Sequence, residues 1–328
     1  MNWESRYLPP NPTIWQGQAD IPDGSCFFQH VRLLDLLAHK PQKTAPITFA
    51  LLGFKCEEGV ERDLGRTGAS EGPIAIRQQL AKLPFQNAQI HCYDAGNIVC
   101  IDHDMEQSQR ALSEVVATLL SQNIRPLIIG GGHEIAFGHY LGIAKVYPPA
   151  RRLGILNFDS HFDLQSLKPI HRPSATTAFY QIAEAHRAEQ RHFDYNCIGI
   201  QHVGNIRHSF DTAKQLNTKF MLADELHQGL SEKCYDFVDR IIDENEVIYT
   251  SLSLDVFSPA FAPGVSSINP LGLYPWHVIP PLRQIAASGK VICYDIAEHV
   301  PRYDIDHRTA KLAASLIYDI IHHHHEIE

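Results

Sequence analysis

The chain has 328 residues, 44% of them hydrophobic and 20% charged, which suits a globular protein with a sizeable core and excludes disordered, collagen-like and disulfide-scaffold readings. A formal charge of -9 without any run of five basic residues argues against nucleic acid or an anionic membrane as the main partner. The seven cysteines (Cys26, Cys56, Cys92, Cys100, Cys197, Cys234 and Cys293) are scattered and lack any C-x-x-C. They read as reduced thiols of a cytoplasmic protein rather than a disulfide framework or structural zinc site. The start, MNWESRYLPPNPTIWQG, carries neither the basic nor the apolar region of a secretory leader, and no stretch approaches eighteen apolar residues.

In chain order, residues 1–45 are irregular and read as an N-terminal arm, and 46–328 as a single α/β domain. The pattern predicts a strand over 46–54, helices over 72–83 and 105–122, a strand over 125–131 and a helix over 136–147. Strands follow over 152–159 and 196–201, then a helix over 232–244 and strands over 246–255 and 290–298. The helical-looking RTAKLAASLIYDII leads into HHHHEIE, read as a native helix end rather than a tag. Strands that are apolar throughout and separated by helices imply a mostly parallel sheet covered on both faces, a three-layer α/β/α arrangement.

In such sheets functional groups collect just beyond the carboxyl ends of the strands. His133 follows RPLIIGGG, Asp159, His161 and Asp163 follow LGILNF, Asp255 follows EVIYTSLSL, and Glu298 ends KVICYDIAE. Asp159, His161 and Asp163 sit at alternate positions, which would turn them to one face if the strand stayed extended. Carboxylates interleaved with imidazoles suit Mn²⁺ better than Zn²⁺ or Fe²⁺.

These residues carry a resemblance. GGGHE, NFDSHFD and SLSLDVFSPAFAPG resemble, in order and spacing, the three signatures of the ureohydrolase (arginase and agmatinase) family. GVERDLGRTGASEGPIAIR (59–77), YDAGN (93–97) and EHVPRYD (298–304) resemble its flanking segments. The HFDLQ ending, SATTAFYQI (174–182) and CIGIQHVGNI (197–206) are most similar to its formimidoylglutamase branch.

The resemblance implies an arginase-like fold with a sheet of about eight strands, two Mn²⁺ per subunit, a small amidine or guanidine substrate, and a homo-oligomer. It implies His133, Asp159 and Asp163 around one ion, Asp159, His161 and Asp255 around the other, and a hydroxide between them that attacks the amidine carbon. N-formimino-L-glutamate would give L-glutamate and formamide, the chemistry of histidine degradation. Glu298 would face the cationic amidine. Gln165, Arg172 and Ser174, with His171, would receive the substrate carboxylates. In the register of Ser251, Asp255, Pro259, Pro263 and Gly264, the place of a bridging aspartate is taken by Ser253, a poorer ligand. Two readings of different class follow: a manganese amidinohydrolase, of formimidoylglutamase, agmatinase, arginase or guanidinobutyrase type, or an impaired homologue that binds a ligand or partner.

Overall fold

Uniformly apolar runs build the centre of the molecule, because a strand buried on both faces has no polar side to show. The computed structural model describes residues 3–18, 20–87, 89–167 and 172–325. Its strands are β1 (Tyr7–Leu8), β2 (Arg32–Leu33), β3 (Ile47–Lys55), β4 (Ile90–Val99), β5 (Arg125–Ile129), β6 (Leu153–Phe158), β7 (Asp194–Ile200), β8 (Lys219–Leu222), β9 (Val247–Ser253) and β10 (Val291–Ala297). They form one sheet in the order β1-β4-β3-β5-β10-β9-β6-β7-β8, with β2 also against β4. Every pairing is parallel except that of β1 with β4. The expected eight strands correspond to β3 through β10, and the two short additions come from the first 45 residues.

The helices are α1 (Phe27–His30), α2 (Glu58–Arg62), α3 (Gly72–Leu80), α4 (Met105–Ser121), α5 (Ile135–Val146), α6 (Ala178–Ala188), α7 (Arg207–Gln215), α8 (Ala223–His227), α9 (Glu232–Glu244), α10 (Pro275–Ala287) and α11 (Arg308–His323). Side chains alternate across β3. Phe49 and Leu51 pack with α3, α8, α9, α10 and α11 on one face, and Ala50, Leu52 and Phe54 pack with α4, α5, α6 and α7 on the other. This is the three-layer α/β/α architecture. α11 extends to His323, so the histidine run continues a helix rather than trailing free of it. No helix among the described residues is long and apolar enough to cross a membrane.

The order of the four middle strands, β5-β10-β9-β6, positions the site. From β5 and β6 the chain proceeds to α5 and α6 on one face; from β9 and β10 it proceeds to α10 and α11 on the other. Neighbouring strands whose connections leave toward opposite faces open a crevice at their carboxyl ends. Two such switches, β5/β10 and β9/β6, flank the sheet centre.

Candidate metal centre

Each middle strand delivers one part of the crevice. After β5 the chain passes through Gly130–Gly132 because it must run against other backbone. The Gly131 N–H donates to the Phe54 carbonyl at 2.8 Å, and a Cβ there would lie 1.7 Å from the Cys56 carbonyl. His133 emerges from this turn fully buried, with the Phe179 ring edge-on at 5.3 Å.

After β6 the expectation of alternate positions on an extended strand does not hold. β6 ends at Phe158, and Asp159–Asp163 run as a loop in which Asp163 takes a left-handed φ of 48°. The Asp163 carbonyl accepts from the N–H groups of Phe179 and Tyr180 at the start of α6, which fixes the turn. Loop geometry, not strand periodicity, brings the three side chains together. β9 likewise stops at Ser253, and Asp255 sits on a 3-10 turn over Leu254–Val256. Glu298, just past β10, has a φ of 77° and donates its N–H to the Gly131 carbonyl at 2.8 Å.

His133, Asp159, His161, Asp163 and Asp255 meet in one cleft as two triads that share Asp159. His133 Nδ1 is 2.9 Å from Asp159 Oδ2 and 2.9 Å from Asp163 Oδ2. His161 Nδ1 is 3.4 Å from Asp159 Oδ1 and 3.2 Å from Asp255 Oδ2. Within each triad the ligand-type atoms lie within 4.8 Å of one another. Asp159 therefore offers one oxygen to each triad. His161 has a side chain 22% exposed and stands at the mouth, whereas the three aspartates are buried.

The charges are concentrated. Burial and then Asp159 push Asp163 up to about 6, and burial and then Asp159 also raise Asp255. Burial and the neighbouring Asp255 and Glu134 raise Glu298 well above the usual carboxylate range. Burial works against charge on Asp159 too, but hydrogen bonds from His133 and His161 hold it low. Buried carboxylates this close demand cationic compensation. Two groups of hard oxygens and imidazole nitrogen at these spacings fit two divalent cations.

Further buried groups hold the ligands. His133 Nε2 is 2.9 Å from Ser251 Oγ, which donates to Asp295 Oδ1 at 2.5 Å; the other Asp295 oxygen accepts from Tyr249 and is 2.8 Å from His139 Nδ1. Such partners fix ring orientation at metal ligands. Glu298 Oε1 accepts from the His133 N–H at 2.6 Å, and its second oxygen meets Ser266. Ser253 lines the cleft and donates to Asp255 Oδ1 at 2.7 Å.

Glu298 lines the cleft, but Gln165, Arg172 and Ser174 do not do so. Gln165 is exposed, and the Ser174 hydroxyl is buried 3.2 Å from that of Thr176. Burial works against charge on Glu106, but Arg62 and, more weakly, the nearby Arg172 hold that carboxyl low. His171 falls outside the described residues. The cleft is instead completed by Val60, Asp63, Gly65, Ala175, Thr176, Ser266 and Ser267. Asp63 accepts from the Thr176 N–H at 3.0 Å and its hydroxyl at 3.1 Å. Sequence reasoning missed these lining residues, although the glycine-rich segment and the serines after AFAPG mark their places.

Fold and site together define a mostly parallel α/β protein with room for two cations at a double switch point. The chain matches the Arginase family over residues 47–323. It is 39% identical over 320 residues to the formimidoylglutamase of Legionella pneumophila (strain Paris), covering 97% of this chain and 98% of that one. Its fold is similar to the crystal structure of formimidoylglutamase from Bacillus subtilis, with a TM-score of 0.79, 22% identity and 94% of each chain covered. It is also similar to a Trypanosoma cruzi formiminoglutamase variant solved with Mn²⁺, with a TM-score of 0.76, 22% identity, and 87% and 96% of the two chains covered. The chain belongs to the arginase family and is a hydrolase acting on C–N bonds of guanidino or amidine compounds.

Proposed function

We propose that this protein hydrolyses N-formimino-L-glutamate to L-glutamate and formamide in the cytoplasm, using two Mn²⁺ held by His133, Asp159, Asp163, His161 and Asp255. The carrying observation is the division of the two Asp159 oxygens between two buried histidine–carboxylate triads. Two Mn²⁺ bound there would lower the pKa of a shared water and so supply a nucleophile near neutral pH.

The chain's own residues bind and orient. Glu298, raised in pKa by burial and by Asp255 and Glu134, gains most from a planar cation, because an amidinium satisfies both its charge and its oxygens. The His133 N–H and Ser266 hold that carboxylate in place. Ser251 and Asp295 fix the His133 ring. The hydroxyl of Ser267 is a neutral donor available to substrate carboxylates within the cleft, whereas that of Thr176 is engaged by Asp63. The exposed apolar side chains of Leu271, Tyr274 and Trp276 support a homo-oligomer.

The test is release of formamide after manganese loading, with agmatine, arginine and 4-guanidinobutyrate as competitors. Preference for N-formimino-L-glutamate by at least about tenfold in kcat/KM is expected. A higher kcat/KM on a guanidine substrate would reassign the enzyme within its family. The second reading, an impaired homologue, rests on Ser253; it is favoured if the loaded protein holds one ion or none rather than about two.

A further inference from the structure

Two of the cysteines lie side by side, away from the hydrolytic cleft. Cys56 is the first residue after β3 and Cys100 the first after β4. These strands are parallel neighbours in the register Lys55↔Val99, and the Cys100 N–H donates to the Lys55 carbonyl at 3.0 Å. Continuing that register by one residue places the two cysteines opposite each other. Adjacent strands lie roughly 4.7–4.9 Å apart, inside the Cα range of roughly 4.4–6.8 Å that a disulfide spans. The two thiols are near enough for Cys56 to act as a donor toward Cys100.

Their surroundings differ in the way a nucleophile and its resolving partner do. Cys56 is buried, while Cys100 is half-buried with access to solvent. Arg6 reaches over this corner, donating to the Ile101 carbonyl at 3.3 Å, Ser108 Oγ at 3.2 Å and Asp104 Oδ2 at 3.2 Å. The hydrogen bond from Cys56, followed by Ser108 and the Arg6 charge, brings the Cys100 thiol down to about 7 against the effect of burial. A thiol of that kind reacts with oxidants first.

We propose that Cys56 and Cys100 form a reversible thiol–disulfide pair, a two-electron redox site closing across the ends of β3 and β4. With hydrogen peroxide as oxidant, the Cys100 thiolate attacks one peroxide oxygen, giving a sulfenic acid and hydroxide. The Cys56 sulfur then attacks the Cys100 sulfur, the S–S bond forms, and the sulfenic oxygen leaves as water with the Cys56 proton. Overall two thiols and one peroxide give one disulfide and two waters.

The pair is wired to the metal centre. The Cys56 carbonyl accepts from the Gly132 N–H at 3.0 Å, directly before His133. Glu134, the residue after His133, is wholly buried, and one of its oxygens accepts from the Gly59 N–H at 3.2 Å. Closing the bond to Cys100 shifts the residue whose carbonyl holds the Gly132 N–H and loosens the turn that presents His133. Metal affinity therefore falls in the disulfide form.

The experiment treats the full-length protein with hydrogen peroxide, counts thiols and maps peptides without reductant. Loss of two of the seven thiols in a Cys56–Cys100 linkage, restored by dithiothreitol, is expected. Cys56→Ser should stop at a sulfenic acid on Cys100 that dimedone traps; Cys100→Ser should give neither product there. No linkage, a linkage between other cysteines, or unchanged thiol loss in Cys100→Ser overturns the proposal. Iodoacetamide labelling of the wild type at pH 7 needs no variant: Cys100 should be modified first, and slower reaction than any other cysteine overturns its role. Manganese titration of oxidised and reduced protein reads the coupling. A several-fold weaker Kd after oxidation is expected, and equal values overturn that part.

Discussion

Ser253 points into the cleft and spends its hydroxyl proton on Asp255 Oδ1 at 2.7 Å, so it is at the centre without matching a carboxylate as a ligand. Aspartate at this position would add a negative charge and two oxygens where Asp159 already serves both triads. Ser253→Asp is expected to tighten manganese binding by on the order of tenfold or more, since losing even an outer partner of a ligand costs that much. Titration of both forms alongside formamide release checks it; unchanged affinity means that water or Asp255 already completes the shells. At this scale the five ligand-type positions and Glu298 were legible, because strand ends of a parallel sheet announce where side chains converge. The substrate loop was not legible in the same way. Gln165, Arg172 and Ser174 follow Asp163 in the sequence, but the chain turns at that left-handed residue, and Thr176 reaches the cleft instead.

β4 shows why an element can be hidden in a sequence. IHCYDAGNIV carries an aspartate, a glycine and an asparagine, which break the apolar run expected of an inner strand. Those polar groups are tolerated because Arg77, wholly buried on α3, gathers them. Its guanidinium donates to Asn97 Oδ1 at 2.8 Å and the Gly96 carbonyl at 2.8 Å, and lies 3.0 Å from Asp94 Oδ1. The other Asp94 oxygen accepts from the Trp15 indole at 2.8 Å, tying the first 45 residues to the sheet. No periodicity in β4 encodes a partner that arrives from another helix, whereas β3, β5, β6, β9 and β10 are apolar enough to be read directly. Arg77→Ala leaves the Asp94 charge buried without a counter-charge, held by the Trp15 indole and the Gly96 N–H, and should cost about 3–5 kcal/mol. Urea unfolding would measure it, and Asp94→Asn in the same background should recover part of the loss. A cost under about 1 kcal/mol would mean that water replaces the guanidinium.

At the scale of the whole molecule, the three buried aspartates and Glu298 stand where both helical layers meet the middle of the sheet, so their electrostatics bear on global stability. The sign follows from Asp163, whose folded pKa of about 6 lies above its ordinary value of 3.8. A carboxyl raised in this way favours the folded chain when protonated. That contribution is present below about pH 3.8 and is lost as pH rises through about 6. Asp255 and Glu298, also raised, act in the same direction. Chelated protein should therefore lose stability between about pH 5.5 and 7.5. Cations bound between the triads reverse the dependence, because they require ionised carboxylates and bind better as protons leave. At manganese about a hundred times Kd the folded state gains about 2.7 kcal/mol, worth a few degrees in a chain of this size. Calorimetry with EDTA or with Mn²⁺ at both pH values is the measurement, and the gap between the two melting temperatures should widen from pH 5.5 to 7.5. A gap that is absent, or that narrows with pH, would show that the triads do not hold the cations that their geometry fits.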